Sequence, residues 1–496
     1  MSDQEKNNSI QDIIRSNESL SSIDPTADKK LLRKCDLHIL PVLMLLYLMS
    51  FMDRINIGNA KLQGLEKDLN MFGNDYNIAL FVFFIPYILC EVPSNLILKK
   101  VAPSSWLSGI MFAWGVITIC QGVTKSFGGL VACRFLLGVS EAGFVPGCMY
   151  FISMYYKRYE LQWRMNLFFS SSIMAGAVSG LLAYAIANNM TGIIIIIGGG
   201  GGGYNNGWRW IFIIEGLATV VIAIVAKFLI PDWPESAKFL DSDERALLIR
   251  RLASDHGGGV AIMNRLDKSA ARRVFLDGKI YLGTIMYLGV LNTGYSTSFF
   301  TPTILKQLGW TSVRAQVMSI PIYIAATITS LCSALASDKL HHRFLFTILG
   351  CIIATIGYSI LLCQVSVPVG VRYFAIYAIT AGGYMTQPIV MGWLSNNVSG
   401  HYKRSIASGV QIGFGNCGGL IASNVYLAGE APTYRTGFGV SLGLVWVSGF
   451  ACVVFFLYVV RENRLRREGK RDYRYGLPRE ELENLGDDHP SFRFAY

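Results

Sequence analysis

Two pairs of charged residues stand inside stretches that are otherwise apolar. YLMSFMDRINIGNA places Asp53 beside Arg54, and RFLLGVSEAGFVPG carries Arg134 and Glu141. In hydrocarbon an ionisable side chain near a helix centre costs ~2.5–3.5 kcal/mol, so each of the four needs a partner or a cavity. Adjacent residues on a helix point about 100° apart. Asp53 and Arg54 therefore cannot neutralise each other face to face. Asp53 shares its stripe with Asn56, and Arg54 shares its own with Gly58. A guanidinium is the natural bidentate partner of a carboxylate, which makes Arg54 a candidate ligand for an organic anion and Asp53 a candidate proton site beside it. The competing reading is a salt bridge that fixes helix packing. Arg134 and Glu141 lie two turns apart on one face, roughly 10 Å, too far to pair directly. Arg134 is expected to compensate an acid such as Asp53. Glu141 has no evident cation, and burial favours the neutral form of a carboxyl group, as a proton-coupling residue requires.

Three further charges need placing. Glu91, in ILCEVPSN, reads as a gating or structural charge. Glu215, in RWIFIIEG, reads as a structural charge paired with Arg209 or Arg54, and Lys227 as a side chain that snorkels to the membrane surface. The second half of the chain offers neutral hydrogen-bonding groups instead: Asn292, Tyr295, Gln387, Gln411, Asn416 and Asn424. Helix-packing hydrogen bonds account for many residues of this kind. Asn292, Tyr295 and Asn416 are the candidate substrate contacts among them. His38, His256, His341, His342, His401 and His489 all fall in tails, loops or span ends. No HExxH motif, metal cluster or Ser/His/Asp arrangement emerges from the spacing, so neither an enzyme nor a metal or other cofactor is expected. Most cysteines lie within apolar spans and read as buried small hydrophobes, with no CxxC pair.

The elements that must position these residues follow from composition. Of 496 residues, 52% are hydrophobic and only 16% charged, where a soluble protein carries about a quarter; the mean hydropathy is +0.40. Twelve apolar runs, each of the ~20 residues that cross a bilayer, occupy roughly 37–60, 78–98, 106–123, 130–154, 165–187, 210–230, 280–300, 314–336, 344–365, 371–395, 405–426 and 437–460. The expected fold is an all-α polytopic membrane protein of twelve transmembrane helices in two six-helix halves. Its parts are a disordered tail (1–36), a first half (37–230), a linker (231–279) with a helical-looking SDERALLIRRLASDH, a second half (280–460) and a polar tail (461–496). Small-residue clusters recur in spans 5 and 11 (SSSIMAGAVSG and GFGNCGG), as an internal duplication predicts.

Charge sets the orientation. With both termini on one side, 33 of the 44 Lys and Arg residues fall there, nine of them in the linker, and eight fall opposite. The positive-inside rule then puts both termini in the cytosol. The net charge of +11 reads as this topology signal and not as nucleic-acid binding. Thr191–Tyr204, TGIIIIIGGGGGGY, reads as a repeat expansion in an outside loop, since no GK[ST] follows it. The sequon Asn189-Met190-Thr191 hugs the membrane and is expected to stay unmodified.

The runs DRINIGNAKLQGLEKDL, EVPSNLILKK, RFLLGVSEAGFVPG, WRWIFIIEGLATV, FLIPDWPESAKFL and WLSNNVSGHYKRSIASGVQIGFGNCGG resemble fungal permeases of the allantoate permease family. That family is a branch of the anion:cation symporters of the major facilitator superfamily, and within it the match looks most like the nicotinic-acid permease type. The resemblance extends over about 31–462. It implies a central cavity, alternating access and proton-driven import of a small organic anion across the plasma membrane. It further implies Arg54 as carboxylate ligand, Asp53 and Glu141 as proton carriers, and Arg134 as the residue that tunes Asp53. Two features depart from the family pattern. The loop after span 2 reads SNLILKKVAPSSW where the superfamily has GxLxDRxGRK, and the Ile/Gly run is foreign. The expected partners are the anion, protons and the lipid bilayer, with the chain working as a monomer. Import of another vitamin or nitrogen source (pantothenate, biotin, a dipeptide), proton-antiport efflux and a non-transporting nutrient receptor are the competing functions.

Overall fold

The computed structural model describes residues 25–98, 100–189, 207–257, 276–399, 401–478, 481–482 and 484–496. The Ile/Gly run and most of the sequon lie outside them. Each of the twelve apolar runs falls on helix, and no strand occurs among the described residues. The first half comprises α1 (Pro25–Ile55) continued by α2 (Ile57–Leu62), the short α3 (Leu65–Asp68), α4 (Asp75–Leu98), α5 (Pro103–Val123), α6 (Phe127–Glu141) continued by α7 (Phe144–Ser153), α8 (Arg158–Asn189) and α9 (Gly207–Leu229). The linker contributes α10 (Ser242–Gly257), where the sequence has its helical-looking segment. The second half follows with α11 (Gly278–Gln307), α12 (Ser312–Leu340), α13 (Arg343–Leu362), α14 (Val369–Asn396), α15 (His401–Gly415) continued by α16 (Cys417–Val425), and α17 (Arg435–Arg467).

By length and composition, eight of the described helices qualify as membrane-crossing. α11 and α14 are not among them, and the reason is visible in their middles. Asn292, Thr293, Ser296, Thr297 and Ser298 on α11, and Thr380, Thr386 and Gln387 on α14, are polar and buried. Such helices cross a bilayer only because neighbouring helices shield them from lipid.

Small residues set the spacing. A Cβ on Gly138 of α6 would lie 2.2 Å from the Phe83 carbonyl of α4, and one on Gly216 of α9 would lie 2.8 Å from the Gly115 carbonyl of α5. Those backbones touch because neither glycine has a side chain. Across the halves, α8 packs on α12, α4 on α16 and α2 on α11. A Cβ on Gly58 would meet the Phe299 carbonyl at 2.9 Å, and Asn77 Nδ2 donates to the Ser423 and Tyr426 carbonyls at 2.6 and 3.1 Å. These inter-half contacts gather at the end of the bundle away from Pro25 and Tyr496.

At the other end, charges bind the tails and the linker to one half or the other. In the first, Arg251 of α10 pairs with Asp28 and Glu160, Lys34 with Glu244, and Arg164 with Asp36. Helix α1 already runs from Pro25, ahead of the expected start at 37, because these pairs give the polar segment a surface to fold against. In the second half the chain after α17 folds back. Asp487 binds Lys279 and Lys403, and Arg466 donates to the Asp487, His489 and Phe492 carbonyls. Trp393 and Asn397 hold Ala495.

Candidate functional site

Span 1 is interrupted at Asn56 between α1 and α2, span 4 at Ala142–Gly143 between α6 and α7, and span 11 at Asn416 between α15 and α16. All three breaks lie beside the buried charges. At the first, Asn56 Oδ1 accepts from Ser179 of α8, and Asn59 donates to Ser179 at 2.6 Å, which ties span 1 to span 5.

Arg54 forms the centre. Its Nη2 donates to Glu141 Oε1 at 2.7 Å, and its Nη1 to the Tyr295 hydroxyl at 2.5 Å. Tyr295 donates onward to Asn416 Oδ1 at 3.2 Å, and Ser50 donates to the same Glu141 oxygen that Arg54 holds. The guanidinium stands 4.7 Å from the Tyr87 ring centre and 4.9 Å from that of Phe83, two rings at (i, i+4) on one face of α4. An aromatic wall of this kind accepts a cation while excluding water. Arg54 Nε and Glu141 Oε2 have no hydrogen-bond partner. Arg54, Glu141, Tyr295 and Asn416 are all buried. The site is a carboxylate clamp already holding one internal carboxylate, built from spans 1, 2 and 4 of one half and 7 and 11 of the other.

The pairing differs from the sequence expectation in three places. Glu141 does have a cation, Arg54, because α6 crosses α1 at the height where both are buried. Asp53 is not bonded to Arg134. Its Oδ2 accepts from Thr219 at 2.8 Å and from Trp114 at 3.2 Å, because it faces α5 and α9. Arg134 instead donates to the Arg54 carbonyl at 3.2 Å and lies over the Phe212 ring, with its Nε and Nη2 lacking hydrogen-bond partners. Glu215 joins neither Arg209, which pairs with Asp68, nor Arg54; both its carboxylate oxygens lack partners.

The remaining candidates lie around this centre. Glu91 sits one turn beyond Tyr87 on α4, buried, with its Oε2 3.6 Å from where a Gly413 Cβ would stand. Asn292 turns away from Arg54 and donates to Ser441 of α17 at 3.1 Å. Gln411 bonds the Gly283 and Val390 carbonyls as a packing group, and Asn424 its own helix. Lys227 reaches Ser105 near the surface. Ser50, Phe83, Tyr87, Trp114 and Thr219 were absent from the sequence-derived set. The (i, i+4) aromatic pair beside Glu91 was the one available signal for any of them. No group of His, Cys, Asp and Glu suited to a metal occurs among the described residues.

Comparison with known proteins fits this architecture. Residues 43–423 match the Major Facilitator Superfamily. An uncharacterised transporter of Schizosaccharomyces pombe is 36% identical, over 95% of this chain and 91% of the relative. The MFS-type transporter cnsO of Penicillium expansum is also 36% identical, over 94% and 90%. The major facilitator-type transporter hxnP of Emericella nidulans is 30% identical, over 96% and 94%. Among solved structures, a bacterial homologue of the human lysosomal transporter Spinster, inward-facing and occupied, superposes with a TM-score of 0.61 at 16% identity, covering 84% of this chain and 96% of that one. A twelve-helix, two-half bundle with a buried polar centre, matched along nearly its whole length by fungal transporters, belongs to the Major Facilitator Superfamily and is a membrane transporter, not an enzyme.

Proposed function

We propose that this transporter is a proton-coupled symporter of the allantoate permease branch, importing a small organic anion, a nicotinate- or allantoate-like carboxylate, by alternating access. Its place is the plasma membrane, with both termini in the cytosol, an orientation that the lysine and arginine distribution supports. The observation that carries the reading is the Arg54–Glu141 pair at the meeting of the two halves.

A substrate carboxylate and the Glu141 carboxylate compete for one guanidinium. If both were ionised, the buried site would carry an uncompensated negative charge, at a cost of several kcal/mol. A proton on Glu141 removes that charge and frees the planar fork of Arg54 for the substrate. Anion and proton thus load together, and one cannot leave without disturbing the other. Tyr295 and Asn416 report occupancy to the second half, because Arg54 reaches them through a single chain of hydrogen bonds. Asp53 and Arg134 stand behind Arg54 in the first half, where Arg134 holds the Arg54 backbone.

Uptake of labelled nicotinate, challenged with a panel of organic anions, tests the substrate class. Competition by monocarboxylates, lost in Arg54→Lys, is expected; transport of cations or neutral compounds with no effect of carboxylates overturns it.

A further inference from the structure

Behind the clamp, the first half encloses a second set of ionisable groups, Asp53, Arg134 and Glu215, that the Arg54–Glu141 ion pair does not use. Phe212, Glu215 and Thr219 occupy one face of α9, at (i, i+3, i+7), and all three are fully buried. Trp114, Thr118 and Gln121 form the corresponding buried face of α5, which runs antiparallel to α9. The glycine contacts fix the register: Gly216 lies against Gly115 and Ile119, and Gly122 against Arg209 and Ile213. Glu215 therefore stands level with Thr118, between Thr219 and Phe212. Asp53 of α1 is bonded to Thr219 and Trp114 on one side of it, and Arg134 of α6 lies over Phe212 on the other. The Tyr76 hydroxyl, from α4, is buried without a partner, as are both atoms of the Gln121 amide, Asp53 Oδ1 and both Glu215 oxygens.

Charge bookkeeping separates this cluster from the clamp. Arg54 and Glu141 neutralise each other, and Glu91 lies apart from the cluster, on α4 beside Gly413; the cluster itself sets two carboxyl groups, Asp53 and Glu215, against one guanidinium, Arg134. With both acids ionised, the cluster would hold one uncompensated negative charge, and two nearby buried carboxylates do not both stay ionised. We propose that Asp53 and Glu215 form one proton-binding site, holding a single proton between them while Arg134 balances the remaining carboxylate. The site goes beyond the substrate reading, since it stands whichever ligand Arg54 takes. It also gives Glu215 a task other than a structural ion pair: it determines whether Asp53, next to Arg54, is charged.

Infrared spectroscopy of the full-length protein in nanodiscs at neutral pH tests this through the carboxylic-acid carbonyl stretch. A shared proton gives a signature that a structural residue would not. Glu215→Gln and Asp53→Asn each remove the same band, because the single remaining acid is then balanced by the charge of Arg134 and ionises, and the double variant removes nothing more. Should Glu215→Gln fail to yield monodisperse protein, Asp53→Asn gives the same readout from the other partner. An acid region unchanged by either substitution overturns the proposal. Two bands lost independently would mean separate protons and overturn it as well. A band that grows only when sodium is withdrawn would mark a metal-cation site in place of a proton site, and Proposed function would be untouched by any of these outcomes.

Discussion

Arg54 contacts both halves at once, and single substitutions there separate its roles. Lysine keeps the charge but lacks the fork that spans Glu141 and Tyr295. Arg54→Lys should therefore weaken carboxylate binding by at least about tenfold, read by competition binding on purified protein. Tyr295→Phe removes one charge-assisted hydrogen bond and the link to Asn416. Such a bond contributes ~1.5–3 kcal/mol, so affinity should fall roughly tenfold or more while Arg54 stays paired with Glu141. Unchanged affinity in Tyr295→Phe would place substrate elsewhere. At this scale the sequence was informative about residues and poor about partners. Asp53, Arg54, Arg134, Glu141 and Glu215 stood out because apolar spans do not tolerate ionisable groups without a reason. Which acid meets which base depends on how α1, α4, α6 and α9 are rotated against one another, and spacing along one helix says nothing about that. Arg134 was therefore matched to Asp53, which instead faces Trp114 and Thr219.

Among the elements, the apolar runs and the linker helix were legible because periodicity and composition act locally. The behaviour of 461–496 was not. Its polar sequence looks solvated, yet from residue 484 the chain is held against the second half by groups far away in sequence. Asp487 illustrates the energetics. Burial opposes its charge, but Lys279 and Lys403 more than compensate and hold the carboxyl at about 2. A carboxyl held below its ordinary value stabilises the folded form above about pH 4 and ceases to do so as pH falls toward 2. The Asp487 contribution should thus stay constant from about pH 5 to 8, whereas His489, held below its ordinary value by burial and by Arg466, should make protease resistance decline as pH falls below about 6.5. Asp487→Asn leaves the two buried ammonium groups of Lys279 and Lys403 with Asp277 as their one remaining carboxylate among the described residues. Losing one partner of a buried charge pair costs about 3–5 kcal/mol, so limited proteolysis should release the tail at neutral pH. Resistance equal to the parent protein would show that the Arg466, Ala495 and Phe494 contacts hold the tail without the Asp487 charge.

For the whole molecule, the two halves touch most intimately at the end remote from Pro25 and Tyr496, while the ion pairs described at the near end fasten the tails and the linker and do not join one half to the other. That asymmetry suits a carrier closed on one side. Asn77 fastens α4 to the carbonyls at the end of α16, and Asn77→Ala removes both bonds. In a background lacking the native cysteines, a cysteine placed at Tyr426 should then react faster with an impermeant thiol reagent applied from outside; an unchanged rate would mean that the glycine contacts alone keep this end shut. The twelve-span plan was readable from the sequence because hydrocarbon thickness imposes it span by span. Closure at one end was not, since it depends on how two rigid halves meet.

The central claim is that a proton on Glu141 releases Arg54 to bind the anion. Its most direct test is purified protein in vesicles, comparing labelled-carboxylate uptake under an imposed pH gradient with counterflow in the absence of one. Glu141→Gln, permanently neutral, should lose gradient-driven accumulation and retain counterflow. Accumulation driven by the gradient in Glu141→Gln at the level of the parent protein would contradict it.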